Sequence, residues 1–174
     1  MIVDVVKAGL LLTLAATAQL AIVNAFELVD GRADFALLCL VGLALLRGPI
    51  FGAAAGFFTG LVLDMGMLGT LGLSSLLLTL AGYWAGRFGE ATSNDKNQSA
   101  RILIAVALTT VGVAIGALVI HLLLGESIPV GPFFVRALLP SLALNLILAI
   151  PVYVVCRWLF PPSERKDRGE VVVV

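Results

Sequence analysis

"RGPIFGAAAGFFTGLVLD" (residues 47–64) has a glycine at every fourth position and ends on a carboxylate. The glycines are Gly48, Gly52, Gly56 and Gly60, and the next four-residue step reaches Asp64. In a water-exposed helix each glycine costs roughly 1 kcal/mol relative to alanine. In lipid, helices associate by close packing, and small residues four apart let two backbones approach each other. The row therefore predicts a membrane helix that packs closely on another helix.

The composition of the whole chain also indicates an integral membrane protein. Of its 174 residues, 60% are hydrophobic and 13% charged, and the mean hydropathy is +1.10. Soluble proteins average roughly 25% charged residues. The formal net charge is zero, so no overall positive charge favours nucleic acid or anionic lipid, and we expect no nucleic-acid partner.

Apolar runs predict the helices. A helix needs about 20 apolar residues to cross a bilayer core. Four runs are long enough to be predicted as spans: Val5–Phe26, Leu71–Arg87, Ile102–Leu124 and Ala137–Leu159. Between the first two lie the shorter runs Phe35–Leu46 and Ile50–Leu63, which form either one long broken helix or two short ones. Proline at 49 favours a break at Gly48, because the residue before proline avoids helical angles.

The distribution of basic residues decides between those alternatives. With six helices and a cytoplasmic N-terminus, nine basic residues fall on the cytoplasmic side and only two outside. The nine are Lys7, Arg47, Arg87, Lys96, Arg101, Arg157, Arg165, Lys166 and Arg168, and the two are Arg32 and Arg136. A single crossing over 35–63 would move the basic C-terminus outside, against the positive-inside rule. We therefore predict an all-α protein with six transmembrane helices, short helices two and three, and both termini cytoplasmic. The predicted domain is 1–160, followed by a short cytoplasmic tail, 161–174.

The glycine row has two interpretations. It packs either against another helix of the same bundle or against a membrane helix of a partner protein, and the sequence leaves both open. Shorter pairs occur at Gly82 and Gly86 and at Gly112 and Gly116. Asp64 lies at the outer end of the row, before a glycine-rich stretch that resembles a loop. We expect it at the membrane interface, capping helix four or binding loop amides, rather than at mid-membrane.

No residue pattern predicts catalysis, a metal or a cofactor. His121 is the only histidine, and it has no cysteine or carboxylate at ligand spacing. Cys39 and Cys156 lie in apolar runs and are predicted to be core or lipid-facing thiols. Thr13, Thr17 and Asn24 fall near one face of the first helix, with Gln19 off it, and suggest a polar inter-helix stripe. Asn145 either lines a cavity or is satisfied by neighbours at a proline-bent helix.

The central block, 33–88, resembles the rod shape-determining protein MreD family. The resemblance rests on Asp34 with its apolar run, and on motifs that can be read directly in the sequence: "LALLRGP" (43–49), "GAAAGFFTGLVLD" (52–64), "LGLSSL" (71–76) and "GYWAGR" (82–87). It makes Asp34, Arg47 and Asp64 the motif polar residues. The glycines of the motifs, Gly48 to Gly60 with Gly82 and Gly86, become candidates for helix packing or a partner interface.

The resemblance implies a non-enzymatic, multi-pass protein of the bacterial inner membrane that serves cell elongation and peptidoglycan synthesis. It implies the bitopic protein MreC as direct partner. Through MreC it implies cytoskeletal MreB and the synthase formed by RodA and a class B penicillin-binding protein. MreD proteins are also similar in fold to the S-components of energy-coupling-factor vitamin transporters. A substrate-binding S-component is therefore the alternative function.

Overall fold

The computed structural model describes residues 2–25, 34–67, 71–92, 97–125 and 138–160, and these residues form six α-helices. The helices are α1 (Ile2–Ala25), α2 (Phe35–Arg47), α3 (Pro49–Met67), α4 (Leu73–Ala91), α5 (Gln98–Leu123) and α6 (Leu139–Leu159). The predicted all-helical fold is confirmed for this part of the chain. The predicted tail, 161–174, and the charged segment 26–33 lie outside the described residues.

Helix α2 is the centre of the bundle. It contacts each of the other five helices, and its residues from Ala36 to Ala44 are all buried. A helix that is apolar on every side is stable only when neighbours surround it. Its 13 residues span about 20 Å, well short of a bilayer core of about 30 Å. Both ends of α2 therefore need polar partners inside the protein.

The chain breaks between α2 and α3 at Gly48, as predicted. Gly48 has a φ of 92°, a left-handed conformation that disfavours other residues, and Pro49 begins α3. The prediction that α3 is short was wrong. α3 runs to Met67 and has 19 residues, about 28 Å, whereas the sequence indicated Ile50–Leu63. The charge of Asp64 ended the apolar run in the sequence, but its carboxylate is buried against α4 and the helix continues past it.

The remaining helices pack in pairs around α2. The closest pair is α3 and α4; α1 packs on α2 and α3, α5 on α4 and α6, and α6 on α2. Within the described ranges, three helices are long and apolar enough to cross a membrane: α3, α5 and α6. α1 and α2 contain shorter apolar stretches, Val6–Ala21 and Phe35–Arg47.

Candidate functional site

The carboxylate of Asp64 binds the start of α4. Its Oδ2 accepts hydrogen bonds from the backbone N–H of Gly72 (2.8 Å) and Ser75 (3.3 Å), and its Oδ1 accepts one from Ser74 (3.1 Å). The side chain of Asp64 is 4% exposed. The first amides of a helix have no intrahelical partner, and the positive end of the helix dipole favours an anion there. Three amide donors and this dipole offset the cost of burying the charge.

The glycine row of α3 lies directly against α4. A methyl group added to Gly52 would overlap the backbone carbonyl of Gly82, and one added to Gly56 would overlap that of Leu78. At Gly60 it would overlap the backbone of Ser75. The overlap is mutual, because a methyl group on Gly82 would meet the Gly52 carbonyl. No side chain larger than hydrogen fits between the two backbones at these positions.

The same seam continues to the other end of α3. A methyl group on Gly86 would overlap the backbone of Pro49 and Gly48. A methyl group on Gly48 would lie 3.3 Å from Oε1 of Glu90. Of the two interpretations of the row, the structure therefore has the helix-packing one: α4 of the same chain covers it. By contrast, the predicted pair in α5 does not form a seam. An added methyl group at Gly112 would have no neighbour within 4 Å, and one at Gly116 would meet only the Leu77 side chain.

Asp34 and Arg47 lie at the two ends of α2. The Asp34 side chain caps the helix, because its Oδ1 accepts a hydrogen bond from the backbone N–H of Leu37 at 3.2 Å. At the other end, the guanidinium carbon of Arg47 lies 5.8 Å from the ring centre of buried Phe160, within the range of a cation–π contact. All three motif polar residues thus serve helix ends: Asp34 and Arg47 those of α2, and Asp64 that of α4.

Two amide side chains from other helices complete the start of α2. Asn145 Oδ1 of α6 accepts from the Asp34 N–H (2.9 Å), and Gln19 Oε1 of α1 accepts from the Ala36 N–H (2.9 Å). Asn145 Nδ2 also donates to Thr110 Oγ1 of α5 at 3.2 Å. Asn145 is therefore satisfied by neighbours, one of its two predicted alternatives. The sequence analysis missed the bond from Gln19 to α2. The signal for it was a single amide within an apolar helix, because an amide shielded from water needs a hydrogen-bond partner in the protein.

The predicted polar stripe on α1 does not bond to another helix through its threonines. Thr13 and Thr17 are exposed, and their hydroxyls donate to carbonyls of their own helix, at Gly9 (2.7 Å) and Thr13 (2.9 Å). The inter-helix bond comes from Gln19, which the pattern placed off the stripe. Threonine bonds readily to the carbonyl four residues earlier, so its hydroxyl needs no second helix. The Asn24 side chain lies outside the described part.

Ser75 and the two cysteines, among the described residues, lie in contacts between helices or in the core. The Ser75 hydroxyl donates to the Phe57 carbonyl of α3 at 2.7 Å, which ties the seam together. Cys39 and Cys156 are free and buried, so of the two predicted positions, core or lipid-facing, they occupy the core. Among the described residues, no group of three or more His, Cys, Asp or Glu side chains is arranged to hold a metal ion.

One row of small residues on the surface has no helix against it in the described structure. On α1, Gly9, Thr13, Thr17 and Ala21 follow each other at four-residue steps, and all four are exposed. A methyl group added to Gly9 would meet nothing within 4 Å. We call these four residues the α1 row. It repeats the four-residue spacing of the α3 row, but no helix among the described residues covers it.

Comparison with protein families gives one match. The model of the family described as "rod shape-determining protein MreD" matches residues 2–161, which include all six helices. No curated protein and no solved structure matches the chain.

Proposed function

Because the chain belongs to the rod shape-determining protein MreD family, we propose that it is a non-enzymatic scaffold of the cell-elongation machinery. It binds an MreC-like bitopic protein directly. Through that protein it acts on MreB and on the peptidoglycan synthase formed by RodA and a class B penicillin-binding protein. It requires no cofactor, and its site of action is the bacterial inner membrane.

We propose that all six helices lie in this membrane as separate spans, with both termini cytoplasmic. The nine-to-two distribution of basic residues supports this orientation. Helix α2 is short for a span, and the contacts that satisfy its backbone fit a membrane position. Its first amides bond to Asp34, Gln19 and Asn145, so that they need no water.

The observation that carries the binding proposal is the α1 row. In this chain the other long row of small residues, on α3, is covered by a helix backbone along its length. In lipid a surface of small residues gains little from contact with acyl chains but allows a second helix to approach closely. The hydroxyls of Thr13 and Thr17 are already bonded, so the surface offers close packing without unsatisfied donors. We propose that the α1 row receives the single membrane helix of the MreC-like partner.

The surface beside the row supports the same position. Gly9 and Thr13 border a cleft of about 220 Å³ between α1 and α3, whose other wall includes Ala54 and Phe58. A helix seated on the α1 row would contact this wall and fill the cleft. The partner would then touch two helices of the scaffold instead of one.

Co-purification with the MreC-like protein tests the proposal. Ala21→Leu adds bulk on the row, whereas Ala18→Leu makes the same change at an exposed position of α1 off the row. We expect Ala21→Leu and Thr13→Leu to weaken partner capture about 5- to 30-fold, the factor that a loss of 1–2 kcal/mol produces. Ala18→Leu should capture the partner like the wild type, and only the row variants should fail to restore rod shape in depleted cells.

Equal capture by the Ala21→Leu and Ala18→Leu proteins would show that the row is not the partner surface. A chain that captures no bitopic partner, and whose depletion leaves rod shape intact, would overturn the scaffold function itself. The S-component alternative predicts a ligand pocket at the outer side. The segments 26–33 and 126–137, which would border such a pocket, lie outside the described residues, and no other observation favours that alternative.

A further inference from the structure

A groove of about 890 Å³ runs between α4 and α5, on a different side of the bundle from the α1 row. Its walls are almost entirely apolar or small, and they include Leu80, Ala81 and Ala85 of α4 and Ala105 and Leu108 of α5. Gly112 forms part of the floor, where an added methyl group would meet nothing within 4 Å. The groove is therefore an open, apolar channel whose floor the chain itself leaves unfilled.

The groove is closed at one end and charged at the other. At the closed end, Leu77 lies against Gly116, close enough that a methyl group on Gly116 would meet it at 2.6 Å. At the other end, Arg87 and Glu90 line the groove. The sequence that joins α4 to α5 at this end, residues 92–98, is polar, and with the orientation proposed above this end faces the cytoplasm.

The length of the groove decides what fits it. The α4 lining reaches Glu90 and Ala91 at the charged end. The apolar length of the groove, from Leu77 to Phe88 on α4 and from Ala105 to Gly116 on α5, is eleven residue steps on each helix, or about 16 Å. This is roughly half of the 30 Å hydrocarbon core. A membrane helix of another protein crosses the whole core and would have to leave the groove at Leu77. The acyl chains of one lipid leaflet end near the middle of the bilayer, as the groove does.

The charges at the open end select an anionic headgroup. Arg87 is 61% exposed and only loosely paired with Glu90, at 3.9 Å. Arg101 of α5 lies one turn before Ala105, and its Nη1 donates to the Thr92 carbonyl at the end of α4, at 3.3 Å. Among the described residues, two guanidinium groups against one carboxylate make this end net positive, and the first amides of α5 add the positive end of a helix dipole. Trp84, which is 65% exposed and lines the groove, belongs to the residue types that favour the headgroup level.

We propose that the α4–α5 groove binds one anionic phospholipid, with its acyl chains along Gly112 and its phosphate at Arg87 and Arg101. Basic pockets between membrane helices are a recurrent way to hold anionic lipid headgroups. With the orientation proposed above, the lipid belongs to the cytoplasmic leaflet. The site does not depend on the scaffold function, because it uses neither the α1 row nor the α3–α4 seam.

Native mass spectrometry of the protein, purified in mild detergent and offered phosphatidylglycerol or phosphatidylcholine, tests the site. We expect about one retained phosphatidylglycerol per chain and a higher melting temperature with phosphatidylglycerol than with phosphatidylcholine. Gly112→Leu fills the floor and should lower retention at least about tenfold. Leu108→Trp narrows the groove at its wall and should also lower retention. Agreement between the two variants would show that the loss does not come from misfolding of Gly112→Leu alone. Ala18→Leu, at an exposed position of α1 outside the groove and off the α1 row, should retain lipid like the wild type.

A second pair of variants tests whether arginine at the open end selects the anionic headgroup. Arg87→Gln should remove the preference for phosphatidylglycerol over phosphatidylcholine. Arg157→Gln, which removes an exposed arginine that bonds to Gln98 rather than lining the groove, should leave that preference intact. Equal retention of both lipids by the wild type, or unchanged retention by Gly112→Leu and Leu108→Trp, would overturn the proposal. Loss of the bitopic partner from Gly112→Leu with full lipid retention would do so too, and would assign the groove to a protein helix.

Discussion

At the residue scale, Asp64 acts as an N-cap from a neighbouring helix. Residue 72, at the N-cap position of α4, is a glycine with a φ of 97°, and it has no side chain to accept from the first amides. The carboxylate comes instead from α3, eight residues earlier in the chain, and it accepts from three amides at once. One residue thus caps α4 and fixes the end of the α3–α4 seam.

Replacing Asp64 tests this role. Asp64→Ala leaves three amide donors without their acceptor, and we expect it to lower the free energy of unfolding by about 2–4 kcal/mol. Asp64→Asn keeps one carbonyl oxygen and should lose less. Thermal unfolding in detergent measures the difference. Lys7→Gln, a change at an exposed charge, should stay within about 0.5 kcal/mol of the wild type, and an Asp64→Ala protein as stable as Lys7→Gln would contradict the capping role.

At the element scale, the contribution of a glycine to stability depends on which atoms lie against it, and four-residue spacing alone does not determine it. Gly56 and Gly112 both lie in the interior of long apolar helices, α3 and α5. A methyl group at Gly56 would overlap the backbone of Leu78, whereas at Gly112 it would enter open space. The same substitution should therefore destabilise the protein at Gly56 but not at Gly112.

We expect Gly56→Ala to destabilise the protein by at least about 2 kcal/mol, because two backbones must separate to admit the methyl group. Gly112→Ala should be neutral or stabilising by up to about 1 kcal/mol, since alanine is the better helix former. Melting temperatures of the two variants in one detergent provide the comparison. Destabilisation of equal size at both positions would mean that helix propensity or local strain, and not the α3–α4 seam, explains the glycines.

At the scale of the whole molecule, a polar network holds the bundle around the buried start of α2. Gln19 of α1 accepts from the Ala36 N–H, and Asn145 of α6 accepts from the Asp34 N–H. Asn145 also donates to Thr110 of α5. The start of α2 requires such partners, because the first amides of a helix have no intrahelical acceptor. Four of the six helices therefore meet through side chains that serve one helix end.

Asn145→Leu tests how far this network stabilises the whole bundle. The leucine preserves the approximate volume but leaves the Asp34 amide and the Thr110 hydroxyl without the amide that joins them. We expect a loss of about 1–3 kcal/mol, measured as a lower melting temperature. Thr109→Val is the matched control: the Thr109 hydroxyl donates to the carbonyls of Ala105 and Val106 in its own helix, so its removal should cost little. An Asn145→Leu protein as stable as Thr109→Val would show that the network is dispensable.

Much of this architecture could be predicted from the sequence, and the misses have identifiable causes. The break at Gly48 follows from local backbone sterics, and the existence of six helices follows from apolar runs and basic residues. The end of α3 was wrong because a charge was taken as the end of a helix, although Asp64 finds its partners across the seam. The stripe on α1 was wrong for a related reason: Thr13 and Gln19 are both polar, but only a long amide reaches the next helix.

The sequence by itself determined the properties that depend on composition and on neighbours along the chain. These are the membrane class, the helices and the turn at Gly48, since hydropathy and backbone sterics act locally. Only the tertiary structure decided which surface of each helix is covered. Gly56 and Gly112 look alike along the chain, and so do the α1 and α3 rows, because four-residue spacing records the capacity for close packing but not the neighbour. α4 covers the α3 row, while the α1 row and the floor at Gly112 stay open in the described structure.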